Sequence, residues 1–125
     1  MKTVIRTDNA PMPLGPYSQA LKVGNLLFVS GQIAVDPKTG KILAVEIEGQ
    51  TERVIQNLKT ILEAAGFGLE DVVQSTVYLS SLALFKRFNG VYSKYFEGDF
   101  PARAAIGVEL VPGALVEISV IACRG

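Results

Sequence analysis

The chemistry open to this chain is limited from the start, because its 125 residues include no histidine. Nucleophilic catalysis by Ser/His/Asp or Cys/His groups requires an imidazole, and so do the commonest zinc sites. Any reaction must therefore use arginine, tyrosine, serine, carboxylate or backbone groups, or water. The single cysteine, Cys123, lies in an apolar strand pattern, which favours a buried and unreactive thiol over a nucleophile.

Two charged residues interrupt segments that are otherwise small or apolar. Arg103 stands between two alanines, and its planar guanidinium could hold a carboxylate with two parallel hydrogen bonds. Glu117 lies between Val116 and Ile118, where an unpaired carboxylate is costly, so it is either paired or held for proton transfer. The alternatives are a surface or ion-paired arginine and, for the glutamate, a structural ion pair across an interface between copies of the chain.

Four further residues are candidates, and each has an ordinary structural alternative. Tyr17 follows a Gly-Pro pair, and its phenol could donate a hydrogen bond to a substrate or simply lie at the edge of the core. Ser30 ends an apolar strand pattern just before Gly31, whose missing side chain would let a small ligand approach the backbone. Asn89 lies on a predicted helix and could equally satisfy a local backbone carbonyl.

The pattern of helices and strands that must position these residues predicts one α+β domain over residues 1–125. Apolar residues recur every three or four positions between Ile47 and Gly66, which predicts one helix. A second helix follows Ser80-Ser81 and carries an aromatic stripe that is predicted to belong to the core: Phe85, Phe88, Tyr92 and Phe96. Strands are predicted at Ser18–Val23, Leu26–Ser30, near Ile42, Val72–Leu79 and Leu115–Cys123, and an extended segment is predicted from Pro101 through Ala104 to Leu110.

The charge pattern narrows the range of partners. Twelve basic and twelve acidic residues balance without a run of Lys or Arg, so nucleic acid is an unlikely partner. The polar N-terminus and the lack of a long apolar run predict a soluble, cytoplasmic protein without a membrane partner. Glu46 and Glu48 lack a third ligand nearby and are predicted to be a solvated helix entry, so no metal is expected.

The apolar pattern also predicts an oligomer. The segments Val72–Leu79 and Leu115–Cys123 are apolar at odd and even positions alike, as in strands that are buried on both faces. Two helices can cover only one face of such a sheet. We therefore expect the other face to contact a second copy of the chain.

Four short blocks carry a resemblance that extends over nearly the whole chain: Gly15–Ala20, Val29–Ile33, Phe100–Ala105 and Val116–Ile118. Their order and spacing resemble the signature blocks of the RidA (YjgF/YER057c/UK114) family. The resemblance implies a chorismate-mutase-like fold, in which a mixed β-sheet has two helices packed on one face. It also implies a homotrimer in which the sheets form a central β-barrel and the active sites lie in clefts between subunits.

The resemblance further implies a deaminase that uses no cofactor. Such an enzyme hydrolyses imines derived from 2-aminoacrylate and 2-aminocrotonate to 2-keto acids and ammonia. Arg103 would bind the substrate carboxylate and Glu117 would activate the water. The other implied site residues are Tyr17, as a hydrogen-bond donor, and Ser30, Gly31 and Asn89, around the substrate. Some bacterial members have a cysteine where this chain has Ala105, so no thiol is expected to take part.

Two other functions remain open at this stage. The chain could be a trimer that binds small carboxylates without catalysis, and such a binding protein should tolerate the loss of Glu117. Some family members are described as ribonucleases or translation inhibitors, although the balanced charge argues against RNA binding here.

Overall fold

The computed structural model describes residues 1–96 and 98–125, which form an α+β fold around one six-stranded sheet. The strands are β1 (Lys2–Ile5), β2 (Ala20–Val23), β3 (Leu26–Gln32), β6 (Val72–Leu79), β7 (Ala102–Gly107) and β8 (Val116–Cys123). They lie in the order β1-β2-β3-β8-β6-β7, and only β6 and β7 run parallel to each other. Two shorter strands, β4 (Val35–Asp36) and β5 (Lys41–Ile42), form a separate ribbon. The predicted mixed sheet is therefore confirmed.

The first helix, α1 (Ile47–Ala64), follows from the spacing of its apolar residues. Its buried apolar side chains are those of Ile47, Val54, Ile55, Leu58, Ile61 and Leu62. The helix ends as predicted at Gly66, which has a φ of +82° that glycine adopts without strain. There the Gly66 and Phe67 amides donate hydrogen bonds to the carbonyls of Glu63 and Leu62.

The second helix, α2 (Phe85–Tyr95), follows a single 3₁₀ turn at Leu82–Leu84. The Ser81 hydroxyl accepts a hydrogen bond from the Ala83 amide at 3.2 Å, so the predicted cap starts the 3₁₀ turn and not α2 itself. Phe88 and Tyr92 are buried with their ring centroids 5.3 Å apart. The aromatic stripe is therefore part of the core, as predicted.

Both helices pack on one face of the sheet, which we call the helix face. Along β8, buried residues on this face alternate with partly exposed ones on the other. We call this other side the open face; on β8 it carries Glu117, Ser119, Ile121 and Cys123. The thiol of Cys123 is thus partly exposed, which corrects the expectation of a buried cysteine. The helices leave the open face uncovered, as the two-faced apolar pattern predicted.

Two features of the structure were not predicted. Strand β1 pairs with β2 at the edge of the sheet, and its mostly exposed side chains give no burial pattern that would reveal a strand. Arg87 binds both Glu46 and Glu48, at 3.0 and 2.8 Å, and this contact holds the pKa of Glu48 below its usual value. None of the helices in the described part of the chain is long and apolar enough to cross a membrane.

Candidate active site

Arg103 lies on the helix face, at the edge of the sheet formed by β7. Its register partner on β6 is Ser75, which is fully buried on that same face. The guanidinium carbon of Arg103 lies 4.9 Å from the ring centroid of Tyr92, 5.3 Å from that of Phe85 and 5.9 Å from that of Phe88. These distances are those of cation–π contacts, which stabilise the charge of the Arg103 guanidinium and restrict its orientation.

Asn89 fixes one end of the Arg103 guanidinium. Arg103 Nη1 donates a hydrogen bond of 2.8 Å to Asn89 Oδ1, so the side chain of Asn89 serves the arginine and not a local backbone carbonyl. Nε and Nη2 then remain on the adjacent side of the guanidinium, a pair that can bind a carboxylate with two parallel hydrogen bonds. A cleft of about 460 Å³ opens beside these residues and is also lined by Phe100 and Pro101.

The support under Arg103 depends on a buried hydrogen bond. The Tyr92 and Ser75 hydroxyl oxygens lie 2.7 Å apart in the core. Burial raises the pKa of the Tyr92 phenol, against smaller lowering effects of Ser75 and the Arg103 charge. The ring therefore stays neutral and in a fixed position beneath the guanidinium. The sequence predicted Tyr92 only as a core residue. Its support of the Arg103 guanidinium depends on the register of β6 with β7, which the sequence does not show.

Glu117 lies on the open face, beside an irregularity in the sheet. Strands β3 and β8 pair Val29 with Val120 but Gln32 with Ile118, so two residues of β3, Ser30 and Gly31, lie opposite one residue of β8. This is a β-bulge. A Cβ atom added to Gly31 would lie 2.9 Å from Cδ and 3.1 Å from Cγ of Glu117. A side chain at residue 31 would therefore displace the glutamate from this position.

The carboxylate of Glu117 has no partner among the residues that the structure describes. Within residues 1–96 and 98–125, no ion pair or hydrogen bond involves its oxygens, and the side chain is partly exposed. The described residues therefore supply no ion pair for Glu117, and the alternative of an ion pair between copies of the chain stays a prediction. The carboxylate remains free to accept a proton or a hydrogen bond from another molecule.

Ser30 and Tyr17 lie on the same side of the molecule as Glu117. The Ser30 hydroxyl donates a hydrogen bond of 2.6 Å to the Ser18 carbonyl, which ties the bulge to the segment after Tyr17. Its proton is thus engaged, and only its lone pairs can meet a ligand. Tyr17 is 51% exposed and lines an apolar cleft together with Gly31. The phenol can therefore reach a molecule bound near the bulge.

The six predicted residues form two separate groups within one chain. Arg103 and Asn89 lie on the helix face at β7, whereas Tyr17, Ser30, Gly31 and Glu117 lie around the bulge. In the sheet, Arg103 pairs with Ser75 and Glu117 with Tyr78, so they are two strand spacings, roughly 10 Å, and three residues apart, on opposite faces. A small imino acid cannot touch both groups in the same chain.

Comparison with known proteins identifies the family. The profile of the endoribonuclease L-PSP family matches residues 7–124. A RutC family protein of Saccharolobus solfataricus is 56% identical, with 98% of each chain covered. Reactive Intermediate Deaminase A of Arabidopsis thaliana, a chloroplastic protein, is 45% identical over 97% of this chain and 65% of its own.

A crystal structure from Thermotoga maritima agrees with the fold. It superposes with a TM-score of 0.96 at 51% identity and covers 100% of this chain and 99% of its own. A family profile that spans almost the whole sequence and a fold shared at this identity lead to the same assignment: the chain belongs to the RidA family, whose profile carries the name endoribonuclease L-PSP.

Proposed function

We propose that the protein hydrolyses 2-imino acids to 2-keto acids and ammonia, in sites formed between two copies of the chain. The observation that carries the proposal is the division of the site into two incomplete halves. One half presents a guanidinium whose Nε and Nη2 donate no hydrogen bond within the described part of the chain, and the other presents a carboxylate that has no partner there. Membership of a family that includes a reactive intermediate deaminase supports the reaction.

The open face supports the association of copies. Phe28 of β3 and Ile106 of β7 lie on it and are 41% and 45% exposed, although both are large apolar side chains. Burial of such a face against other copies removes this surface from water. We take the copy number, three, from the family resemblance. In a closed ring each copy offers its Arg103 half to one neighbour and its Glu117 half to the other.

The reaction needs only orientation and one proton acceptor. Arg103 binds the substrate carboxylate through Nε and Nη2, which holds the imine carbon in the cleft. Glu117 of the adjacent copy accepts a proton from a water that attacks this carbon, so a C–O bond forms and the C=N double bond becomes a single bond. Glu117 passes this proton to the nitrogen, which gives the neutral carbinolamine. It then accepts the proton of the carbinolamine hydroxyl and gives it to the nitrogen, so that a C=O double bond forms, the C–N bond breaks, and ammonia and the 2-keto acid are released. Nothing is oxidised or reduced.

Mixed assemblies test both the reaction and the shared site. Arg103→Ala and Glu117→Gln chains, each tested alone, are expected to keep at most about a tenth of the normal acceleration of 2-keto acid release from an imino acid produced by an amino acid oxidase. When the two are coexpressed and purified together, about a quarter of the sites in a random trimer combine an intact Arg103 with an intact Glu117. We therefore expect activity to return to about a quarter of that of the unmodified protein.

Three results would contradict the proposal. A stable monomer in sedimentation at micromolar concentration would remove the shared site. Mixed assemblies that stay as inactive as their parents would place both residues in one chain. If the unmodified trimer binds 2-keto acids but does not accelerate the hydrolysis, the protein is a carboxylate-binding protein. Cleavage of RNA that survives both substitutions would indicate a different site and a different function.

A further inference from the structure

Neither half of the proposed site is restricted to a ligand that contains nitrogen. Arg103 Nε and Nη2 bind the carboxylate of the ligand, because Asn89 occupies only Nη1. The Glu117 carboxylate acts first on the attacking water. A 2-keto acid has the same carboxylate and the same planar carbon next to it, with oxygen in place of the imine nitrogen. Both contacts are therefore available to a 2-keto acid as well.

Hydroxyl groups are the side-chain groups that can meet the nitrogen or oxygen atom on this carbon. An imine N–H needs a hydrogen-bond acceptor, whereas a keto oxygen needs a donor. The Ser30 hydroxyl donates to the Ser18 carbonyl at 2.6 Å, so it can only accept from a ligand. Tyr17 is 51% exposed, and its phenol can donate or accept. The site therefore tolerates either atom at this position.

Addition of water to the ketone uses the same steps as addition to the imine. Glu117 accepts a proton from the water while a C–O bond forms and the C=O double bond becomes a single bond, and it gives this proton to the former keto oxygen. The product is a geminal diol. Glu117 then accepts the proton of the new hydroxyl and gives it to the other one, which leaves as water. The C=O double bond that forms contains the oxygen of the solvent, and nothing is oxidised or reduced.

An amine would offer a ketone a different route, through a Schiff base. Among the described residues that line the cleft at Arg103 and the cleft at Tyr17, none is a lysine. A water activated by Glu117 is therefore the nucleophile that the two halves of the site supply to a bound ketone.

We propose that the protein has a second activity in this site: it catalyses the reversible hydration of 2-keto acids and so exchanges their keto oxygen with water. The free carboxylate selects the ligand, because it is the group that Arg103 holds while the neighbouring carbon faces the water. The inference rests on the proposed deaminase function, whose product is such a keto acid. A product molecule thus continues to react with water until it leaves the site.

Pyruvate dissolved in H₂¹⁸O tests this activity, because ¹³C NMR separates the labelled from the unlabelled keto carbon. The exchange rate should rise in proportion to the protein concentration. Arg103→Ala and Glu117→Gln, checked by sedimentation for an intact assembly, should each lower the protein-dependent rate at least about tenfold. Glu109→Gln, which changes an exposed glutamate outside the bulge, should leave it unchanged. Methyl pyruvate lacks the free carboxylate and should exchange only at its spontaneous rate.

The outcomes separate this inference from the proposed function. If the protein accelerates imine hydrolysis but not the exchange, the deaminase function stands and the second activity is wrong. If it accelerates the exchange but not imine hydrolysis, the second activity stands and the deaminase function is wrong. Exchange that survives either substitution, or that extends to methyl pyruvate, would come from another group and would overturn the inference. A pyruvate adduct found on the protein by mass spectrometry after reduction with cyanoborohydride would also overturn it, because it would show a Schiff base.

Discussion

The Arg103 half and the Glu117 half of the site differ in how far their own chain completes them. Arg103 is held by Asn89 and lies over the rings of Phe85, Phe88 and Tyr92. Glu117 contacts the backbone at Gly31, and no donor among the described residues reaches its oxygens. An arginine can be oriented in advance because stacking leaves its donors free. A carboxylate that must accept a proton works best if nothing else occupies it.

The largest effect is expected at Arg103. Arg103→Ala and Arg103→Lys should each lower kcat/KM for imine hydrolysis at least about a hundredfold, or roughly 3 kcal/mol of transition-state stabilisation. Lysine keeps the charge but loses the planar fork and its stacking, so it should not restore activity. Arg87→Lys is the matched control, because Arg87 also uses its fork but binds Glu46 and Glu48 away from the cleft. Near-normal turnover by Arg103→Ala would show that the carboxylate binds elsewhere.

A smaller effect is expected at Glu117. Glu117→Gln keeps the shape of the side chain but removes the proton acceptor, so kcat should fall about ten- to a hundredfold. The affinity for a 2-keto acid product, measured by calorimetry, should stay within about threefold because Arg103 is intact. Glu109→Gln, an exposed glutamate outside the bulge, provides the control. Equal loss of binding and turnover in an intact trimer would indicate a structural role for Glu117 instead.

The smallest effect is expected at Asn89. Asn89→Ala leaves Arg103 stacked on the rings but frees the end that Asn89 now fixes, so KM should rise about three- to tenfold with little change in kcat. Lys86→Ala, an exposed residue on the same helix, should leave KM unchanged. If Asn89→Ala lowers kcat and leaves KM alone, Asn89 contacts the transition state directly and does not act by positioning the arginine.

Local patterns in the sequence were sufficient for most of the fold. The end of α1 at Gly66, the turn at Gly24 and the apolar strands β6 and β8 all follow from turn chemistry and periodicity. Strand β1 could not be found this way, because an exposed edge strand carries no burial signal. The extended segment predicted from Pro101 to Leu110 contains β7 at Ala102–Gly107, and the parallel pairing with β6 determines where this strand begins and ends.

The site could be predicted only as a set of residues and not as a geometry. Arg103 and Glu117 were recognised because charge is unusual in their surroundings. That the two residues lie on opposite faces of the sheet, however, depends on strand register. Register is a long-range property that no local pattern fixes. For the same reason, the support of Arg103 by the Tyr92 and Ser75 pair became visible only once β6 and α2 were placed together.

The bulge at Ser30–Gly31 also controls which way the following chain faces. Before it, odd-numbered residues such as Leu27 and Val29 are buried; after it, even-numbered ones, Gln32 and Ala34, are. The additional residue thus acts as a phase shift in the alternation of side chains. Deleting one residue here would remove the bulge and leave Gln32 opposite Ile118, whereas pairing all of the residues without a bulge would turn Gln32 towards the open face and Ile33 into the core. The bulge therefore absorbs the additional residue, and the burial of Gln32 and Ala34 depends on its being formed.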